Sequence, residues 1–294
     1  MKLATLRQGA AVLEGDAAYL LPTSLAHVIE LGLERALEIG DQARHGEPVP
    51  WAESDLLLPY KPPSIRDFVT FESHVAGVRK SIDHAVGVPE AWYDAPTFYF
   101  TNPHALYGPG EEVPRPATCR ALDFELEVAC VMGAALRSAS EPEAASAIFG
   151  YTILNDWSAR DLQSREMQVG LGPAKGKDFA TSFGPWIVTA DELGAGDGSL
   201  ALECRAYVNG ELVGQDSLSN MHWTFGQMAA YASRDSVVLA GDLLASGTTG
   251  GGGCLAELWG RNGEQTPPPL GAGDVVRIEV DGLGALLGSV RSSP

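Results

Sequence analysis

Residues 121–133 read ALDFELEVACVMG, and their alternation leaves the backbone few choices. Leu122, Phe124, Leu126 and Val128 recur at every second position, with Asp123, Glu125 and Glu127 between them. A period of two is the signature of a β-strand; a helical step would throw Glu125 and Glu127 towards opposite sides. On a strand the two glutamates share a face. Like charges that close repel unless water solvates the face or a cation sits between them. The residues alone leave both readings open, a solvent-facing amphipathic strand or an acidic cation site.

The C-terminal half repeats this strand character in WIVTADEL, LECRAYVNGELVGQ, DSVVLAGDLLASGT, GCLAELWG and DVVRIEVDGLG. Asn209-Gly210 marks a hairpin turn. Thirty-four glycines and nineteen prolines fit many short strands and turns better than a helical bundle. Residues 1–22 predict a small strand pair, and 24–44 a helix that starts at Ser24, with Leu25, Val28, Ile29, Leu31 and Leu33 near one face. Residues 64–85 predict a second helix, and 95–118 a loop. The proline-rich link at 46–64 predicts a boundary between an N-terminal unit, 1–60, and a main domain, 61–294. The expected class is α+β and β-rich.

At 294 residues the chain can bury a substantial core. A formal net charge of −18 repels nucleic acid and anionic lipid, which excludes both as main partners. The four cysteines, Cys119, Cys130, Cys204 and Cys254, show no metal-site spacing, so reduced buried thiols are expected. The N-terminal MKLATLRQGAAVLEGD reads as no signal peptide, and no run of about eighteen apolar residues is present. A cytoplasmic protein is the expectation.

The segment NDWSARDLQ, 155–163, sets Asp156, Arg160 and Gln163 at i, i+4 and i+7, one polar stripe if the stretch is helical. That stripe reads equally as an exposed ion pair. Asp67 and Asp156 have helix caps as their plain alternative, Asp123 solvent. Should these acids converge with Glu125 and Glu127, the site is all oxygen, which favours Mg²⁺, Ca²⁺ or Mn²⁺ over softer ions. The GTTGGGG run lacks the phosphate-loop pattern; it lets backbone pass close to a ligand or makes a flexible turn.

Four segments taken together resemble the fumarylacetoacetate hydrolase family: RDFVTFESH, LDFELEVA, NDWSARDLQ with LGPAKGKDF, and LASGTTGGGGCLAELW. The resemblance spans about residues 62–290. It implies a mixed β-roll catalytic domain, beside a small N-terminal α/β unit, with carboxylate-bound Mg²⁺ or Ca²⁺. By motif, the metal ligands would be Asp67, Glu125, Glu127 and Asp156, with Asp123 behind them. The catalytic histidine falls on His74 and its acidic partner on Glu257. Arg160, Gln163 and Lys177 match polar residues lining the reacting carbonyl; Tyr99 and Thr248 match substrate contacts. The stripe would then face the site, with Arg160 holding Glu257 or Lys177. Two positions depart from family patterns. Val69 stands where fumarylacetoacetase has a tyrosine, and Gly77 where another branch has a glutamate, which favours pairing His74 with Glu257.

The implied reaction is hydrolysis of a C–C bond in a 2,4-diketo acid of the fumarylacetoacetate or acylpyruvate type. The implied partners are a small oxo-acid substrate and a second copy in a homodimer. Decarboxylation or tautomerisation (isomerisation) at the same site is the alternative, and a non-catalytic protein with a structural calcium site is the alternative of another class. His27, His45, His84 and His104 fall outside the matched motifs and read as structural or surface residues; His222 has no assigned role.

Overall fold

The computed structural model describes residues 1–80, 86–194 and 196–291, so the reading of His84 and the end of the 64–85 helix lie outside the described residues. The N-terminal segment forms three strands where two were expected: β1 (Lys2–Leu6), β2 (Gly9–Glu14) and β3 (Ala17–Leu20). The helix expected over 24–44 is two, α1 (Leu25–Glu30) and α2 (Leu33–Ala43). Gly32 separates them at φ 83, a left-handed conformation that favours glycine. Ser24 caps α1 as expected, accepting from the His27 amide, and Leu25, Val28 and Ile29 are buried. Leu31, at the break, is exposed. A short β4 (Val49–Pro50) follows.

The chain next forms β5 (Ile65–Phe68), where a helix was expected, and only then α3 (Glu72–Val78). All four residues of β5 are buried and paired with β6, and three of them with β16 as well, so neighbouring strands decide what local pattern left ambiguous. The segment expected as loop holds β6 (Phe98–Thr101), β7 (Leu106–Tyr107) and β8 (Glu112–Pro114). The alternating run splits into β9 (Leu122–Asp123) and β10 (Leu126–Met132). After α4 (Glu141–Ser146) come β11 (Ile148–Asp156), β12 (Ser158–Ala159), α5 (Arg160–Met167), β13 (Thr181–Thr189) and α6 (Ala190–Leu193). The chain closes with β14 (Glu203–Val208), β15 (Glu211–Ser217), α7 (Phe225–Ser233), β16 (Leu243–Ala245), α8 (Leu255–Asn262), β17 (Val275–Val280) and β18 (Gly284–Arg291). Asn209 and Gly210 both take positive φ at the β14–β15 turn, as the hairpin signal required.

The strands build a mixed, rolled α+β fold without a closed barrel. The main sheet runs β4-β3-β2-β1-β13-β11-β10-β16-β5-β6, with β7 beside β13; β15-β14-β17-β18-β8 form a second sheet. Pairing of β1 with β13 makes the N-terminal strands part of the main sheet. Strand β10 separates two cores. Leu126, Val128, Cys130 and Met132 pack with Val276, Ile278 and Leu286, while Ala129 and Val131 pack with Leu3, Val12 and Ile29. With both faces covered, the solvent-facing reading of this strand is set aside: Asp123 and Glu127 are 0% exposed. All four cysteines are unpaired and buried, and no described helix is long and apolar enough to cross a membrane.

Candidate active site

Asp67, Glu125, Glu127 and Asp156 come from three places in the chain and converge, each offering an oxygen within 4.8 Å of the others. Parallel pairing of β5 with β16 and antiparallel pairing with β6 bring Asp67 opposite Tyr99. Asp156 is the last residue of β11, and Glu127 lies on β10 next to it. Glu125 stands where β9 and β10 are interrupted; its amide donates to the Asn155 side chain, 3.0 Å, which holds that gap in place. Neither aspartate caps a helix. Nor does 155–163 form one helical stripe, because Asp156 ends a strand and Arg160 opens α5.

Two buried cations answer these acids. Lys177 Nζ lies 2.5 Å from both Glu125 Oε2 and Asp156 Oδ2. A Cβ on Gly176 would stand 2.7 Å from the Gln163 amide nitrogen, so only glycine lets this loop lie against α5 and deliver Lys177. Arg160 donates from Nε to Asp123 at 2.8 Å and from Nη1 to Gln163 Oε1 at 3.0 Å, with Nη2 2.7 Å from Glu125 Oε1. It holds Asp123 and Glu125, not Glu257 or Lys177 as expected, because the β12–β9 ladder sets Ser158 opposite Asp123 and seats Arg160 beside it. Asp123 also accepts from the Leu255 and Ala256 amides at the start of α8.

Asp123 and the four cluster acids meet two cations, an excess of three acidic groups in a buried space. Burial and the Asp156 charge hold the Asp67 carboxyl well above the usual range. Burial, then Asp67, does the same for Glu127, and Asp156 is raised by burial despite Lys177. Burial works on Glu125 too, but Lys177 and Arg160 outweigh it and hold that carboxyl low. Glu127 Oε2 and Asp156 Oδ1 are buried without a hydrogen-bond partner. All-oxygen, anionic and with two oxygens left unpartnered, this cluster fits a hard divalent cation.

His74 lies on α3 beside the cluster. Its Nδ1 is 3.8 Å from Glu257 Oε2, on α8, and 3.9 Å from Cys254 Sγ. The second Glu257 oxygen is bound by Arg261, one helical turn later, a spacing that the sequence displayed and the motifs did not use. A Cβ on Gly77 would stand 2.5 Å from Glu257 Cγ. Residue 77 and Glu257 thus compete for one space.

Tyr99 Oη lies 2.9 Å from Asp67 Oδ2 and 2.5 Å from Asp156 Oδ2, between the two carboxyls, and its single proton serves one of them at a time. Thr248 Oγ1 is 3.4 Å from Glu127. Packing accounts for glycine in this run: side chains on Gly247 and Gly251 would collide with the carbonyls of Phe68 and Gln215. A cavity of about 250 Å³ joins Asp67, His74, Tyr99, Glu125, Glu127, Arg160, Gln163, Lys177 and Thr248. Its remaining wall includes the apolar residues Val69, Val75, Val78, Met167 and Pro173, of which Val69 alone drew notice in the sequence. Glu257 is packed behind His74. His27, His45 and His104 are exposed, and His222 packs against Trp92 and edge-on to Trp223, ring centroids 4.9 and 4.8 Å away.

A family model described as fumarylacetoacetate (FAA) hydrolase C-terminal matches residues 64–291. The chain is 34% identical over 195 residues to a protein of Mycobacterium tuberculosis, covering 66% of each chain. It is 33% identical over 184 residues to the mitochondrial oxaloacetate tautomerase fahd2 of Xenopus laevis, covering 62% of this chain and 54% of that one. The matches thus span about two thirds of the first relative and about half of the second. The solved fumarylacetoacetate hydrolase of Exiguobacterium antarcticum superposes with a TM-score of 0.74 at 27% identity, over 99% of both chains.

Proposed function

The chain belongs to the fumarylacetoacetate hydrolase family, and from that premise we propose that it hydrolyses a C–C bond of a 2,4-diketo acid of the fumarylacetoacetate or acylpyruvate type. The observation that carries this reading is the buried His74–Glu257 pair beside an acidic cluster, with His74 and three of the cluster's acids, Asp67, Glu125 and Glu127, lining one cavity. A divalent cation held by Asp67, Glu125, Glu127 and Asp156 supplies Lewis acidity to the oxygens of the bound oxo-acid.

His74 takes a proton from water, whose oxygen attacks the carbonyl carbon. The unpartnered Glu257 Oε2 orients the imidazole and stabilises the charge it acquires. Because Gln163 Oε1 accepts from Arg160, its amide nitrogen is left to donate to the oxyanion. Lys177 adds positive charge beside it, and Tyr99 and Thr248 bound the substrate. When the C–C bond breaks, its electron pair leaves with the departing carbon as an enolate, which takes back the proton from His74. The same base can instead move a proton within an oxo-acid, and the resemblance to an oxaloacetate tautomerase keeps that second reading in play.

Product analysis on a panel of diketo acids with added Mg²⁺ or Mn²⁺ separates the two. Two acids released per substrate support hydrolysis; keto–enol exchange without a cleaved product replaces it by tautomerisation. His74→Ala should lower kcat by about 10²–10⁴ with metal binding retained. Unchanged turnover removes His74 from the chemistry, and absence of any turnover by the parent favours a structural cation site.

A further inference from the structure

Glu125 faces the acidic cluster on one side and a different donor set on the other. A ring nitrogen of His74, the Cys254 sulfur and a Glu125 oxygen lie within 4.8 Å of one another, and all three residues are buried. Zinc bonds of about 2.3 Å to sulfur and about 2.0 Å to nitrogen, at the tetrahedral angle, separate the two donors by about 3.5 Å. Cys254 Sγ and His74 Nδ1 stand 3.9 Å apart, so the pair needs only a small shift to share an ion. The unpartnered Glu257 Oε2, 3.8 Å from the same nitrogen, is within reach as a fourth donor. Sulfur, nitrogen and oxygen together suit zinc and not the hard cations that an all-oxygen cluster takes. Among the described residues, no other grouping of this kind includes a cysteine or a histidine. His74 and Glu125 line the cavity, which gives an ion a way in.

We propose that His74, Cys254 and Glu125 form a second metal site that binds zinc, and that zinc held there switches the enzyme off by occupying the imidazole. The thiol binds as thiolate, its proton passing to solvent. The binding half stands on geometry alone; the inhibitory half rests on the function proposed above.

Metal-free protein titrated with Co²⁺, a spectroscopic substitute for zinc, tests the binding half. The expected result is a thiolate-to-cobalt charge-transfer band that saturates, is bleached by Zn²⁺ and is absent from Cys254→Ser. That variant retains the parent's circular dichroism and binds zinc at least about tenfold more weakly. Zinc should also inhibit diketo acid turnover reversibly, with at least about tenfold more zinc needed in Cys254→Ser. No band in the parent, or unchanged zinc affinity in the variant, overturns the site; equal inhibition of both proteins overturns the switch. If Cys254→Ser does not fold, His74→Asn takes its place, and unchanged zinc affinity there has the same consequence. A cobalt band in a protein that turns over no diketo acid supports the site while refuting the hydrolase reading.

Discussion

The His74–Glu257 pair depends on a residue that has no side chain. Gly77 sits on the helix that carries His74, and any Cβ there would press on Glu257 Cγ. Overpacking of this kind costs about 1–3 kcal/mol. Gly77→Ala should therefore destabilise the protein by that amount in urea unfolding. In a Glu257→Ala background, where the opposing atoms are gone, the same change should cost less than half as much. An equal cost in both backgrounds would show that the two residues do not compete for space. The contact also accounts for the departure at position 77: a glutamate there and Glu257 cannot share this geometry.

Asp123 works between elements. It lies on β9, takes the Arg160 guanidinium from the first turn of α5, and accepts two amides that would otherwise be unsatisfied at the start of α8. Through it the helix that bears Glu257 is tied to the strand run that bears Glu125 and Glu127. Asp123→Asn breaks one of Arg160's two buried carboxylate pairs and leaves it Glu125 alone. Breaking a buried pair in this way costs about 3–5 kcal/mol, to be read as a lower midpoint in chemical denaturation. A loss below about 1 kcal/mol, the range of exposed ion pairs, would mean that Asp123 does not tie these elements together.

Across the whole molecule, the fold confines more acid than base in its interior. That excess opposes folding until a cation or protons offset it. An added divalent ion that binds only the native state should stabilise it by about 2.7 kcal/mol at one hundred times its Kd. Scanning calorimetry with and without Mg²⁺ or Mn²⁺ measures this, and no rise in Tm at any concentration would exclude the cluster as a binding site. The pH dependence has a definite sign. Carboxyls whose native pKa is raised, as for Asp67, Glu127 and Asp156, stabilise the metal-free fold at low pH; that contribution fades as pH climbs from the ordinary carboxylate range through the raised values. Protons and the cation compete for the same oxygens, so the metal's stabilising effect should be smaller near pH 5 than near pH 8.

The sequence by itself determined what depends on local spacing. The alternation at 122–128 specified extended chain, Asn209-Gly210 a hairpin turn and Ser24 a helix start, and the motif residues carried an oxygen-rich chemistry. Tertiary structure decided what depends on distant partners. Residues 64–71 suit either a helix or a strand until β16 and β6 pair with Ile65–Phe68. Arg160 carries the same charge wherever it lies, and only the β12–β9 ladder selects Asp123 over Glu257 as its partner. Gly247 and Gly251, on either side of Thr248, were equally compatible with a ligand, and only the carbonyls of Phe68 and Gln215 explain why they lack side chains. Backbone periodicity and caps act over a few residues and can be read along the chain, whereas strand pairing, charge partnership and close packing join segments far apart in sequence and exist only once the chain has folded.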